Sequence, residues 1–255
     1  MKKIVPIICS LTLLNACVIH VGADEPANVQ SRQLQLNANS LQQLVAETEA
    51  GDLQIIGEKG REQIEVEARI RYDDISQLEL TLEAKGDAAV LIARNKENVS
   101  FGYVNNASVD LVVRVPERFA LKLEDGSGDT RIEQLTGDLL ITDGSGDLHV
   151  SGGRQVSIED GSGNLSLSGT RGNVSIDDGS GDIRVTQVAG DLTLTDGSGD
   201  ADISQVKGTV KVEDGSGDIR VAQAGGLNVE DDGSGELSYQ QISGRISVPD
   251  DKQRE

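Results

Sequence analysis

The sequence predicts an all-β chain built around a right-handed parallel β-solenoid (β-helix) with coils of 18 residues, preceded by a less regular N-terminal β region. Three observations carry this. Asp-Gly-Ser-Gly occurs seven times, beginning at Asp125, Asp143, Asp160, Asp178, Asp196, Asp214 and Asp232, at intervals of 18 residues with a single 17. Each interval splits into two nine-residue units whose third and fifth residues are aliphatic or small, as in Leu139/Ile141, Val156/Ile158, Val174/Ile176, Leu192/Leu194 and Val210/Val212. Aromatics make up only 2% of the chain, which suits a thin core of stacked Val, Ile and Leu with little room for rings.

A short fixed period signals a solenoid because one repeat can bury its apolar face only against the next. Alternate residues of a strand point to opposite faces, so the third and fifth positions point inward and their neighbours outward. Nine plus nine gives two strands and two tight corners per coil, hence two stacked sheets. A three-sided left-handed coil would need a six-residue subperiod, which is absent, and parallel crossovers are strongly biased to the right hand. Seven coils at about 4.8 Å each make a rod segment of about 34 Å. The glycine that opens most units falls at a corner, where the chain reverses.

Two units break the pattern. The unit from Gly146 has eight residues, which accounts for the 17-residue interval. In the unit from Gly226 the aliphatics Leu227 and Val229 come one place early, while Asp232 keeps its spacing. One corner must therefore lose a residue near Gln223 to Gly226, and the other must absorb one near Glu230 to Asp232, as a bulge or widened turn.

Upstream, alternation marks strands in Ile64-Val66-Ala68-Ile70-Tyr72, Leu78-Leu80-Leu82, Val109-Leu111-Val113-Val115 and Phe119-Leu121-Leu123. Ser40 to Ala46 could form one helical turn. The region is expected to close the open end of the solenoid, since bare strand edges invite aggregation, with Pro116 at the seam. The first residues carry an address: Lys2 and Lys3 precede an apolar stretch from Ile4 to Leu14, too short to span a bilayer and right for a signal peptide. Leu14-Asn15-Ala16-Cys17 resembles a bacterial lipobox with Cys17 as the residue to be lipidated, and Val18 after it favours the outer membrane. The competing reading is ordinary cleavage after Val21-Gly22-Ala23, giving a periplasmic or secreted chain. The expected divisions are a lipoprotein-type signal peptide at 1–16, a tether at 17–40, an N-terminal β region at 41–120 continuous with the solenoid, the repeat solenoid at 121–249 and a charged tail at 250–255.

Loss of residues 1–16 removes two positive charges and takes the formal net charge from −20 to −22. Such a surface repels nucleic acid and anionic lipid, so a lipid anchor is the one membrane contact expected. With Cys17 as the sole remaining cysteine, no internal disulfide can form. Enzyme motifs are missing: there is no Gly-x-Ser-x-Gly elbow, P-loop or His-Glu-x-x-His. Of the two histidines, His20 lies in the tether and His149 shares an outward slot with Arg131, Arg184 and Arg220, which favours a solvated face over catalysis. The repeated serines have no base nearby, and a nucleophile is needed once rather than seven times. No catalytic residue is assigned.

The acidic corner is the one chemically suggestive feature. Stacking places the seven leading aspartates in one column, and Asp129, Asp147, Asn164, Asp182, Asp200, Asp218 and Glu236 in a second. Like charges about 4.8 Å apart cost roughly 1 kcal/mol in water and about 3–4 at an effective dielectric near 20. Relief comes either from Asx-turns, in which each leading aspartate accepts amide hydrogen bonds from its own Gly-Ser-Gly, or from a ladder of Ca²⁺ held by both columns. The turn reading is favoured, with no cofactor. The calcium-binding β-roll of secreted toxins has a different register, Gly-Gly-x-Gly-x-Asp in every nonapeptide, whereas here Gly-Ser-Gly runs straight into Asp129. Glutamines recur at the seventh place of alternate units (Gln134, Gln187, Gln205, Gln223 and Gln241), a pattern that predicts stacked amides bonding along the ladder.

Gly51-Asp52-Leu53-Gln54-Ile55, the strand from Val109 that ends in Val115-Pro116, and the Gly-Asp-Ile-x-Val repeats together resemble the bacterial "putative adhesin" β-strand-repeat proteins. The Ser-Gly-Asp repeats are also similar to the autotransporter-adhesin-head family. The resemblance spans about Leu34 to Val248 and implies a β-helical envelope protein without catalytic residues to carry over. The expected function is a non-enzymatic interaction module binding a protein, glycan or cell-wall ligand. An envelope-stress sensor or regulatory accessory is the alternative, and a calcium-binding surface solenoid the third.

Overall fold

Period-two burial runs through nearly every strand, and it sorts them into two parallel ladders that share one aliphatic core. The computed structural model describes residues 28–72, 75–96 and 107–249. The signal peptide, Cys17, His20 and the tail at 250–255 lie outside the described residues. The chain enters through β1 (Asn28–Asn37), then lays down a coil of β2 (Gln43–Ala50) and β3 (Leu53–Glu58). β4 (Gln63–Tyr72), a 3-10 turn at Ile75–Gln77 and β5 (Leu78–Lys85) lead to a second coil, β6 (Ala88–Asn95) and β7 (Ser108–Pro116). The third coil is β8 (Ala120–Ser127) with β9 (Thr130–Leu135). Strands then alternate between ladders: β10 (Leu139–Asp143), β11 (Leu148–Gly152), β12 (Val156–Asp160), β13 (Leu165–Ser168), β14 (Val174–Asp178), β15 (Ile183–Val188) and β16 (Leu192–Asp196). β17 (Ala201–Asp214) and β18 (Ile219–Asp232) bend through a corner and serve both ladders, and β19 (Leu237–Ile242) and β20 (Ile246–Ser247) finish the stack.

The first ladder joins β8, β10, β12, β14, β16 and the second halves of β17 and β18; the second joins β9, β11, β13, β15 and their first halves. Pairing is parallel and steps by one coil, with Leu139 beside Leu121 and Val174 beside Leu192. The inward pairs read from the sequence are buried at 0–3% exposure. The short unit slips where expected, Gly152 falling opposite Leu135. So does the unit from Gly226: Thr209 pairs with Gly226 after a lost residue, and the ladder shifts again between Val212 and Glu213 to restore Asp214 beside Asp232.

The N-terminal region differs from its expected form in three ways. It has no seam at Pro116, which ends β7 opposite Glu58 inside the second coil. Instead β2 lies between β6 and β8, and β3 between β7 and β9. The first coil in sequence is therefore an inner coil in space, because the chain doubles back through β4 and β5 to place the next coil outside it. Residues 28–37, read as tether, form β1 and pair antiparallel with β4 over their whole length. With β5 antiparallel to β6, these strands cover the ladder ends, as the edge argument requires. Ser40 to Ala46 is no helical turn: Leu41 enters the core and β2 begins at Gln43, with Leu44 and Ala46 buried on alternate places. The three-residue gap from Leu41 to Leu44 mimics helical spacing across a strand entry.

Candidate functional site

In each coil the alternation does not stop at the aliphatics. Leu139, Ile141 and Asp143 share one parity, as do Leu192, Leu194 and Asp196, so the leading aspartate points inward like the side chains before it. All seven are buried, at 2–6% exposure. The Gly-Ser-Gly that follows must turn within a backbone packed on its equivalents above and below. Gly199 has φ +145°, and a Cβ there would lie 1.8 Å from the Gly181 carbonyl oxygen, so no other residue fits. Corner amides are shared between coils: Gly197 N donates to Asp178 O at 2.9 Å and Gly199 N to Ser216 O at 3.0 Å.

The expected Asx-turns form in part. Ser162, Ser198 and Ser216 donate their amides to Oδ1 of Asp160, Asp196 and Asp214 at 3.2, 3.0 and 3.0 Å. At the foot of the column Asp125 is fully served: Oδ1 accepts from Thr48 Oγ1 at 2.6 Å and from Gly126 N at 3.0 Å, and Oδ2 from Thr130 Oγ1 at 2.8 Å. In the following coils the place of Thr130 is taken by Leu148, Leu165, Ile183, Ala201 and Ile219. Those residues offer no donor. Both carboxyl oxygens of Asp143 and Asp178, and Oδ2 of Asp160, Asp196 and Asp214, are buried without a hydrogen-bond partner. The amides of Gly144 and Ser145 sit near Asp143 and favour its charge, but without hydrogen-bond geometry. Burial first, and then the neighbouring aspartates, push Asp143 and Asp196 up to about 7 and Asp178 to about 6. Burial also raises Asp160 and Asp214.

The second column, four residues on, is exposed and solves the like-charge problem differently. Each side chain accepts the backbone amide of its equivalent in the next coil, at 3.0–3.3 Å, in the order Asp110, Asp52, Asp129, Asp147, Asn164, Asp182, Asp200, Asp218, Glu236. A peptide N–H thus stands between successive carboxylates. The Asp218 amide, and then Arg220, hold the Asp200 carboxyl below its ordinary range. Arg220 also reaches Asp218 at 2.8 Å.

A shorter ladder of the same kind at the opposite corner went unread in the sequence: Gln155 N donates to Asp138, Asp191 N to Asn173 and Thr209 N to Asp191, at 3.2, 3.0 and 2.8 Å. The signal was Gly-Asx opening units at both corners, as in Gly137-Asp138 and Gly190-Asp191. The recurring glutamines act through their backbone rather than their amides. Gln134, Gln187, Gln205, Gln223 and Gln241 all have φ between 56° and 62°, the left-handed region, with glycine taking over at Gly152 and Gly169. No hydrogen bond links one of these amides to the next among the described residues.

The two acidic columns lie on opposite sides of the sheet wall, one inside and one outside, and among the described residues no group of three acidic, His or Cys side chains is placed to hold a metal. His149 stands between Arg131 and Ser166 on the outer face of the second ladder. That face continues through Arg184, Asp202 and Arg220, with Ser151, Ser168, Thr186 and Ser204 in the next outward column. A groove of about 600 Å³ near its end is lined by Arg184, Thr186, Asp202, Ser204, Arg220 and Tyr239 among others.

A family model described as Toastrack DUF4097 matches residues 91–255. The chain belongs to that family. The match begins within β6 and takes in every Asp-Gly-Ser-Gly coil, so the repeat solenoid is the Toastrack part of the molecule. Among solved structures, a "putative adhesin" from Bacteroides fragilis NCTC 9343 is 13% identical with a TM-score of 0.51, over 86% of this chain and 100% of that one. A "putative adhesin" from Parabacteroides merdae ATCC 43184 is 10% identical with a TM-score of 0.50, over 85% and 98%. A "putative lipid binding protein" from Parabacteroides distasonis ATCC 8503 is 14% identical with a TM-score of 0.50, over 88% and 98%. At these identities the likeness is one of fold. No curated protein matches the sequence. No helix among the described residues is long and apolar enough to cross a membrane.

Proposed function

We propose that this Toastrack chain is a non-catalytic, adhesin-like interaction module of the bacterial cell envelope, tethered by lipid on Cys17, that presents the outer face of its second ladder to a polar partner. The observation that carries the reading is the character of that face. Both outer faces carry hydroxyls, but where the first ladder sets Lys122 and Lys211 against Glu124, Glu159, Asp177 and Glu213, the second sets Arg131, Arg184 and Arg220 against Glu133 and Asp202, beside Ser151, Ser166, Ser168, Thr186 and Ser204. Hydroxyls and guanidinium groups on a flat, rigid sheet suit hydrogen bonding to a glycan, a cell-wall polymer or a polar protein surface, while the net charge disfavours polyanions. The fold shared with adhesin-described neighbours and the lipobox at Cys17 agree with it.

The test uses the purified full mature chain and isolated envelope fractions from its own source, comparing wild type with Ser168→Glu/Ser204→Glu and with Ser157→Glu/Ser175→Glu on the other face. The reading expects saturable binding that the first pair abolishes and the second leaves intact. Absence of binding, or loss with the second pair alone, would overturn it. For the anchor, Cys17→Ser is expected to release the protein from membranes and to block fatty-acid labelling.

A further inference from the structure

We propose that the inward aspartate column from Asp143 to Asp214 stands as neutral acid in the folded solenoid, so that mild acid tightens the fold and alkali loosens it. The argument begins with geometry. Asp143, Asp160, Asp178, Asp196 and Asp214 stack in parallel register, each the direct neighbour of the next, about 4.8 Å apart. All are at least nine-tenths buried, and each has one or two oxygens without a partner. None of the ion pairs among the described residues involves these five.

The groups that face them are known from every side. Along the stack the neighbours are other aspartates. Next along the chain stand Asp177 beside Asp178 and Asp231 near Asp214, which add negative charge. Across the core lie Leu148, Leu165, Ile183, Ala201 and Ile219. Among the described residues no cation acts on the column. A run of buried carboxylates with only one another and aliphatics for company has two ways to lose its charge: a bound cation or a proton. The described residues assemble no metal cage, and the corner amides bond Oδ1 alone at Asp160, Asp196 and Asp214 and neither oxygen at Asp143 and Asp178. A proton on each acid removes the charge and supplies an O–H where the column otherwise has acceptors alone.

Asp125 is the internal control. Thr48 and Thr130 give it the hydroxyl donors its successors lack. The direction of the upward shifts at Asp143, Asp178 and Asp196 agrees with the neutral form in the other coils. Groups whose folded pKa lies above the unfolded one stabilise most in acid, and that stabilisation disappears as pH rises through the folded value. The stabilisation is complete below the unfolded carboxylate range, at about pH 4, and is lost from there as pH rises through the folded values of about 6 and about 7.

Infrared spectroscopy of the full mature wild-type chain tests this directly. At about pH 6 surface carboxylates are ionised, yet a protonated carboxylic C=O band is expected to persist and to vanish by about pH 9. The melting temperature should fall by about 5–10 °C over the same range. In Asp143→Asn/Asp178→Asn/Asp196→Asn the band should be largely lost and the pH slope flattened. Ala201→Ser, which offers Asp196 a hydroxyl as Thr130 does Asp125, should shrink the slope. Absence of the band at about pH 6, or a melting temperature that is level or rises toward alkali, would overturn the proposal. So would a melting temperature lowered by chelator and restored by calcium, which would make the neutralising partner a metal. If the triple variant fails to fold, the wild-type band and slope decide.

Discussion

Two columns of acid flank the same corner four residues apart, and the sheet wall between them makes them opposite kinds of structure. Outside, Asp182, Asp200 and Asp218 lie on the outer side of the sheet and place a peptide N–H from the next coil between each pair. Inside, Asp178, Asp196 and Asp214 have no such spacer and little water. Position relative to the sheet, rather than residue type, decides which carboxyl is a hydrogen-bond rung and which is a buried acid. The lesson extends to the ends of the molecule. The antiparallel strands β1, β4 and β5 cover one end, whereas at the other β19 leaves Tyr239 42% exposed and β20 spans two residues.

The comparison breaks most visibly if an acid is moved away from the corner. Leu192→Asp places a carboxyl at an inward site that lacks corner amides, and is expected to cost on the order of 4 kcal/mol. Thr193→Asp, one residue on and exposed, should change stability by less than about 0.5 kcal/mol. Equal thermal shifts for the two would contradict the assigned faces. The corner itself is next. Gly199→Ala forces a Cβ against the Gly181 carbonyl at a left-handed φ and should cost about 3 kcal/mol in denaturant unfolding.

The two columns also carry opposite pH signs. Inner acids have raised pKa values, so their stabilisation is complete in acid and lost toward pH 7. Asp200 is lowered by the Asp218 amide and Arg220, so its contribution is present above the unfolded carboxylate range and lost as pH falls through its folded value. Stability should therefore peak near the unfolded carboxylate range, at about pH 4, and fall from there toward pH 7. Melting curves across pH read this, and Asp200→Asn should flatten only the acid limb.

The smallest effect concerns the left-handed corner. Gln205→Gly removes a Cβ from φ 58° and should leave stability unchanged or raise it by up to about 1 kcal/mol, whereas Gln205→Val should lower it by about 1–2. A result in which Val is tolerated and Gly is not would return the glutamine side chain to a bonding role.

Much of this was legible in the residues. The 18-residue period and the third-and-fifth alternation give the coil, the two ladders and the slip at Gly226, because a parallel stack repeats each local rule at every level. The inward course of the leading aspartates was also legible, since Asp143 follows Leu139 and Ile141 at the same parity, although the corner was read for its charge and its turn and not for the face it presents. What could not be read was the order of the first coils. No periodic mark tells β2 to lie between β6 and β8, because that placement depends on long-range closure by β4 and β5. The left-handed glutamines were visible as a column, yet their role lay in φ, which side-chain chemistry does not announce.

Carboxyl labelling of the native wild-type chain, mapped peptide by peptide, tests the division into two columns most directly. Each Asp-Gly-Ser-Gly-Asp peptide carries one acid from each column, so each of those coils serves as its own control. The account predicts rapid modification of Asp182, Asp200 and Asp218, with Asp178, Asp196 and Asp214 protected until the chain is unfolded. Equal labelling of both members within a native coil would contradict it.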